Sequence, residues 1–240
     1  MIGALELSIL FFAAIISGIP LFWIPIKNEL FQKLLLSFSG AFILALCLFH
    51  LLPEVYTGLE PETAGLFLFA GFLLQQVLDY FSGGIEHGHA HHDHAHEHNN
   101  HNHRHHFPVL MLTGLCIHAF VEGLPLLHTS SGNSLFRGIL LHNLPISIAF
   151  VNILLGQGIP KRQILAALIL FAAMTPLGAL SATFLPMQVG SIGPYSLAIV
   201  IGIFFHISTT ILFESDQNHR FNLIKFVSVI LGAALAFALH

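Results

Sequence analysis

The stretch that decides the fold reads Leu115-Cys116-Ile117-His118-Ala119-Phe120-Val121-Glu122-Gly123-Leu124-Pro125-Leu126. His118 and Glu122 are four residues apart, so a helix presents both side chains on one face, one turn from each other. The residues around them are apolar, which is typical of a helix that crosses a bilayer. An ionisable group near the bilayer centre costs at least ~2.5–3.5 kcal/mol, so a pair of them indicates a functional site.

The composition indicates an integral membrane protein. Of the 240 residues, 55% are hydrophobic and 8% are charged. Soluble proteins carry roughly a quarter charged residues. A soluble domain of this length could not bury so much apolar surface, so we expect an all-α protein forming a single transmembrane domain over residues 1–240. The N-terminus lacks the basic region and cleavage site of a signal peptide, so its apolar run is interpreted as a retained helix.

Eight apolar segments approach the ~20 residues that a membrane-spanning helix needs. An even number of spans places both termini on the same side of the membrane. The segments cover Leu5–Ile26, Leu30–Leu52, Ala64–Phe81, Val109–Leu127, Leu135–Leu155, Ile164–Phe184, Tyr195–Phe213 and Leu223–Leu239.

The lysines and arginines predict the orientation of these segments. Seven of the eight basic residues lie in or beside the first, third, fifth and seventh connections, and Arg137 is the exception. Because cytoplasmic loops are enriched in lysine and arginine, these connections are predicted to be cytoplasmic. Both termini are then extracytoplasmic.

The third connection, residues 83–107, is predicted to be a disordered cytoplasmic loop, because it has no apolar face to bury. More than half of the residues from 87 to 106 are histidine. An affinity tag is the alternative, but tags are normally terminal and unbroken. Neutral imidazoles bind zinc and related metals in weak, exchangeable sites. The predicted loop ligands are His87, His89, His91, His92, His94, His96, His98, His101, His103, His105 and His106.

A second helix offers His142 and Asn143. At 1.5 Å per residue, His118 and His142 lie ~13 and ~10 Å from the outer ends of neighbouring antiparallel segments. Two imidazole nitrogens and the Glu122 carboxylate suit Zn²⁺ or a similar divalent metal. Hydrogen-bonded packing would explain either histidine alone, but a buried carboxylate needs a partner and favours the metal site. Asn143 suits a ligand or a hydrogen bond between helices equally well.

Other polar positions have simpler explanations. His50 and Glu54 are placed near the outer end of the second segment, where they could recruit metal, and interfacial solvation explains them equally well. His206 lies in the middle of the seventh segment, where packing is favoured over metal ligation. Asp79 lies at a cytoplasmic end, where a solvated carboxylate is expected.

Taken in order, these motifs resemble the ZIP (Zrt/Irt-like) family of divalent metal transporters. His50-Leu51-Leu52-Pro53-Glu54 is similar to the H-x-x-P-E element of the family's second helix. His118 to Gly123 resembles the H-N-x-x-[DE]-G signature, and His142-Asn143-x-Pro145 resembles the start of the next one. Pro176-Leu177-Gly178 is similar to the P-x-G element, and a His-rich loop after the third helix is frequent in the family.

Three positions depart from the family pattern. Ala119 stands where the family usually has Asn, Ile146 where it has Glu or His, and Thr175 where it often has Glu. In many relatives these positions help to hold a second metal. The resemblance therefore implies that His118, Glu122 and His142 hold a single metal. A divergent member with altered substrate or reduced activity is also compatible with these losses.

The resemblance implies eight helices in a 3+2+3 bundle with inverted-repeat symmetry, and alternating access that carries metal into the cytoplasm. Helices one, four, five and six would slide against the others. The expected substrate is Zn²⁺, with Fe²⁺, Mn²⁺, Co²⁺ and Cd²⁺ as alternatives. We expect a multi-pass protein of the plasma or inner membrane, without a nucleic-acid partner, and a homodimer is left open.

Two other function classes stay open at this point. An intramembrane zinc hydrolase also needs histidine and carboxylate ligands, but the chain lacks H-E-x-x-H and Glu122 would have to serve as both ligand and base. A metal sensor or buffer would need the His-rich loop alone. The transporter is the favoured interpretation, and we expect no enzymatic activity.

Overall fold

The computed structural model describes residues 2–24, 26, 28–82, 108–184, 192–214 and 223–239, and this part of the chain is helical without strands. The predicted all-α class is therefore confirmed, whereas the His-rich loop at 83–107 lies outside the described residues. The helices are α1 (Ala4–Gly18), α2 (Glu29–Leu46), α3 (Leu52–Gly58), α4 (Pro61–Ser82), α5 (Val109–Gly123), α6 (Gly132–Gly156), α7 (Lys161–Ala182), α8 (Ile192–Glu214) and α9 (Leu223–Ala238).

A π-helical turn, Cys47–Leu51, joins α2 and α3 into one continuous rod. Pro53 has no amide hydrogen, so it cannot donate the backbone hydrogen bond of a regular α-helix at this position. The amide of Leu52 donates to the Cys47 carbonyl, five residues earlier, which gives the wider π-helical turn. At the start of the rod, the Asn28 side chain accepts a hydrogen bond of 3.1 Å from the Phe31 amide, which caps α2. Single wide turns of this kind occur frequently at functional sites, and this one contains His50.

The helices pack in two groups. In the first group α1 packs against α6 and α7, and α5 packs against α7. In the second group α2 packs against α8 and α9, and α4 packs against α8. The two groups meet where α4 lies against α5 and where α2 lies against α6. The first group contains the helices predicted to move together, and the movement itself remains a prediction.

Six of the described helices are long and apolar enough to cross a membrane, counting the α2–α3 rod as one. Helices α5 and α9 are apolar but shorter. The predicted count of eight spans and the placement of the termini therefore remain predictions. Large apolar side chains on the outer faces support a lipid-facing surface, since soluble proteins rarely expose contiguous apolar area of this kind. Leu66, Phe69 and Ile230, for example, are all more than half exposed.

Hydrogen bonds between side chains and backbone groups show which connections between helices lie at the same end of the bundle. Lys161 Nζ donates to the Phe22 carbonyl at 2.6 Å, which places the first and fifth connections at the same end. Both connections belong to the set predicted to be cytoplasmic. At the other end, the Glu54 carboxylate accepts hydrogen bonds from the amides of Ser130 and Ser131. The grouping of connections agrees with the bias in basic residues.

Candidate metal centre

Helix α5 holds His118 and Glu122 on one buried face. Both side chains have no exposed surface, and His118 Nε2 lies 2.9 Å from Glu122 Oε1. The spacing of four residues produces this contact directly, because one helical turn brings such side chains together. The local geometry expected from the sequence is therefore present.

Helix α6 brings a third donor to the same place. His142 Nε2 lies 4.0 Å from Glu122 Oε1, and the His118 and His142 ring centroids are 5.8 Å apart. One ligand atom from each of the three residues lies within 4.8 Å of the others. A tetrahedral zinc ion with bonds of about 2.0–2.2 Å separates its ligand atoms by about 3.4 Å. The two separations from Glu122 Oε1, 2.9 and 4.0 Å, lie about 0.5 Å below and above that value, so the side chains would have to shift by about that much to hold such an ion.

The Glu122 carboxylate explains why the cluster suits a cation. Within the described part of the chain, neither of its oxygens accepts a hydrogen bond, and both are buried. A buried carboxylate is strongly destabilised unless positive charge or hydrogen bonds compensate it. A divalent ion held between the carboxylate and the two imidazoles would supply that compensation.

A close crossing of two glycines keeps α5 against α7. A methyl group on Gly178 would lie 2.0 Å from the Phe120 carbonyl oxygen, and one on Gly123 would lie 2.1 Å from the Thr175 carbonyl oxygen. No side chain fits at either position, so the two backbones touch. The crossing adjoins Glu122 and gives a packing reason for the glycines of both sequence motifs.

The next layer of the site contains a residue that the sequence did not reveal. Gln75 of α4 is fully buried, and its Oε1 lies 3.0 Å from His118 Nδ1. The Phe204 ring lies 6.0 Å from the His142 ring, measured between centroids. An amide inside an apolar helix was an available signal, but Gln75 and Gln76 stand side by side and sequence alone does not tell which one faces inward.

Asn143 is buried beside His142, with 4% of its surface exposed. Its Oδ1 has no hydrogen-bond partner among the described residues, and the same holds for the Ser147 hydroxyl. Its role as a ligand stays a prediction. The three positions that depart from the family pattern, Ala119, Ile146 and Thr175, are also buried.

His50 and Glu54 are tied into the protein at the opposite end of the bundle from Lys161. His50 Nε2 donates to the Ala236 carbonyl at 3.1 Å. Glu54 accepts hydrogen bonds of 2.7 Å from the Ser130 and Ser131 amides. These contacts connect α2–α3 to the α5–α6 connection and to α9, and metal recruitment by the two residues stays a prediction.

His206 and Asp79 form a separate polar pair between α8 and α4. His206 Nε2 donates to Asp79 Oδ2 at 3.1 Å, and the side chains are 12% and 16% exposed. The Phe72 ring packs edge-on against His206. Asp79 therefore differs from the solvated carboxylate expected from the sequence. The role of His206 as an additional ligand stays a prediction, and the eleven loop histidines lie outside the described residues.

The fold and the site together define a helical membrane protein with a buried histidine–glutamate cluster suited to a divalent metal. A family model described as ZIP Zinc transporter matches residues 86–240, more than half of the chain. The chain belongs to the ZIP family. Members of this family are divalent metal transporters and not enzymes, so the expectation that the chain is not an enzyme is confirmed. A search of curated proteins finds no match.

Proposed function

We propose that this protein is a secondary transporter that carries zinc into the cytoplasm through the cluster of His118, Glu122 and His142. The observation that supports it is the buried cluster itself, in which three ligand atoms from α5 and α6 converge within 4.8 Å. Borderline ligands of this type suit Zn²⁺, and they also accept Fe²⁺, Mn²⁺, Co²⁺ and Cd²⁺.

The donor set suits binding that can be reversed. One carboxylate neutralises half of the charge of a divalent ion, so the loaded site keeps a net positive charge in a low-dielectric environment. That charge favours return of the ion to water once the site opens. Three protein donors also leave a coordination position for water or for Asn143, unlike the closed four-ligand sites that hold structural zinc.

The residues around the cluster support a single metal. A second ion would need anionic or imidazole donors where this chain has buried Ala119, Ile146 and Thr175. The side chains of Ala119 and Ile146 contain no atom that can bind a metal, and the hydroxyl of Thr175 is a weak metal ligand. We therefore infer that one ion at a time occupies the transport site.

The remaining parts of the proposal concern direction and location. The protein would lie in a plasma or inner membrane, bind metal from outside, where His50 and Glu54 would help to recruit it, and release it toward the loop at 83–107. Alternating access would move α1, α5, α6 and α7 against the second helix group.

The test is uptake of a metal panel into liposomes that contain the full-length protein. Zn²⁺ accumulation is expected to saturate with concentration, and His118→Ala and Glu122→Gln are expected to abolish it. His128→Ala is the matched control, because His128 is an exposed histidine outside the cluster and should leave uptake unchanged.

Two outcomes would contradict the transport site, and a third would change the substrate. Uptake that survives both cluster substitutions would remove the site from the transport path. Metal binding without uptake, unchanged by His118→Ala, would indicate a buffer or sensor that uses other histidines. If another ion of the panel outcompetes Zn²⁺, that ion is the substrate, and the assignment of the transport site is unchanged.

The number of ions in the site is measured by difference. Wild-type protein and a variant with His118, Glu122 and His142 all replaced by alanine are dialysed against the same free Zn²⁺ concentration, high enough to fill the cluster, and analysed for bound metal. The loop histidines contribute equally to both samples. A difference of about one ion per chain is expected, and a difference of two would refute the single-metal site.

A further inference from the structure

The orientation of His118 depends on a residue from the other helix group. A neutral imidazole has one nitrogen that donates a hydrogen bond and one that carries a lone pair, and the partner of the first determines which is which. Gln75 Oε1 lies 3.0 Å from His118 Nδ1. With the Gln75 oxygen facing Nδ1 the amide accepts, so the hydrogen of a neutral His118 ring lies on Nδ1 and the lone pair on Nε2.

The lone pair of Nε2 is then directed at the metal cluster. Nε2 is the His118 nitrogen that lies 2.9 Å from Glu122 Oε1, and it is the nitrogen through which His118 would bind a metal. If Nε2 carried the hydrogen instead, His118 would have no lone pair to offer the ion. The bond to Gln75 therefore prepares the imidazole for metal before any metal arrives.

Gln75 is held firmly enough to set this orientation. Its side chain has no exposed surface, and α4 is packed closely against α8. A methyl group on Gly71, one turn before Gln75, would lie 2.0 Å from the Ile199 carbonyl oxygen of α8. One turn after Gln75, Asp79 of α4 accepts a hydrogen bond from His206 of α8. Two contacts to α8 thus bracket the position of Gln75 on α4.

We propose that Gln75 is a positioning residue of the transport site, which fixes the Nδ1–H form and the ring orientation of His118 so that Nε2 binds the metal. This inference rests on the proposed function, since it concerns the same cluster. Hydrogen-bond partners of metal-binding histidines commonly contribute ~10–100-fold to metal affinity. Gln75 would contribute in that range without touching the ion.

The test compares neighbouring glutamines in full-length protein in liposomes. Gln75→Leu removes the acceptor with little change in volume and is expected to raise the Zn²⁺ concentration for half-maximal uptake by ~10–100-fold, with the maximal rate nearly unchanged. Gln75→Glu keeps an acceptor oxygen opposite Nδ1 and is expected to reach half-maximal uptake at a Zn²⁺ concentration no higher than wild type, because the His118 Nδ1–H compensates its carboxylate. Gln76→Leu is the matched control, because Gln76 is exposed on the adjacent position of α4.

A spectroscopic measurement separates positioning from a loss of folding. Co²⁺ bound to the detergent-solubilised protein gives a visible absorption band that reports its ligands, and the band assigned to the cluster is the part lost in His118→Ala. Gln75→Leu is expected to weaken or shift that band, and Gln75→Glu to recover it. The inference would be overturned if Gln75→Leu had the same Co²⁺ band and the same Zn²⁺ concentration for half-maximal uptake as Gln76→Leu.

Failure of the inference and failure of the proposed function give different results. If His118→Ala abolishes uptake while Gln75→Leu transports like wild type, the transport site stands and the positioning role is wrong. If Gln75→Leu loses both the maximal rate and the Co²⁺ band, and Gln75→Glu recovers neither, Gln75 supports folding only, which also refutes the role. If His118→Ala transports normally, the transport site itself is refuted.

Discussion

Replacing Gly178 by alanine tests whether the crossing of α5 and α7 supports the site. The added methyl group would lie 2.0 Å from the Phe120 carbonyl oxygen, about 1.4 Å closer than the 3.4 Å of an ordinary contact. The obstacle is backbone, which cannot rotate away, so the helices must separate by about that distance. Overpacking of this kind costs about 1–3 kcal/mol. In a chain of this size, the melting temperature falls by roughly 2–12 °C.

The separation also disturbs the metal cluster, because Glu122 precedes Gly123 at the same crossing. A displacement near 1 Å can cost a well-oriented site ~100-fold in function. We therefore expect Gly178→Ala to lose both thermal stability and Zn²⁺ uptake. The assays are size-exclusion chromatography of the detergent-solubilised protein after heating, and uptake into liposomes.

Gly65→Ala is the matched control for the same chemical change. Gly65 is an exposed glycine of α4, and a methyl group there would meet no heavy atom within 4 Å. Alanine is favoured over glycine inside a helix by ~1 kcal/mol, so this variant should melt at the wild-type temperature or above it. Wild-type melting and uptake in Gly178→Ala would refute the packing argument.

Two further substitutions test contacts away from the cluster. Glu54→Gln is expected to speed amide hydrogen exchange at Ser130 and Ser131, because hydrogen bonds to a charged group contribute about 1.5–3 kcal/mol and those to a neutral amide contribute less. Asp79→Ala is expected to lower the melting temperature by several degrees, because it leaves the largely buried His206 without its carboxylate acceptor.

The controls for these two variants are exposed residues nearby. Glu60→Gln removes a carboxylate at the same end of the bundle as Glu54, and Gln76→Ala shortens an exposed side chain on α4. Both should behave like wild type. Unchanged exchange at residues 130 and 131 in Glu54→Gln, or unchanged melting in Asp79→Ala, would show that the corresponding hydrogen bonds contribute little.

Properties that depend on composition or on a single helix were predictable from the sequence. The apolar composition predicts a helical membrane protein, since backbone polar groups in lipid must be satisfied within the segment. The pairing of His118 with Glu122 is equally local, because four residues make about one helical turn. The burial of both residues agrees with the apolar run around them.

Contacts between helices required the tertiary structure. The sequence presents His142 as a candidate, but only packing places its Nε2 4.0 Å from Glu122. The same packing selects Gln75 over Gln76 and pairs Asp79 with His206. The repeat of 3.6 residues per helical turn comes from the backbone, which is the same at every position of the sequence. Which faces of two helices meet depends on residues far apart in the chain, such as Gly123 and Gly178 at the crossing of α5 and α7, or Gln75 and His118 where α4 meets α5.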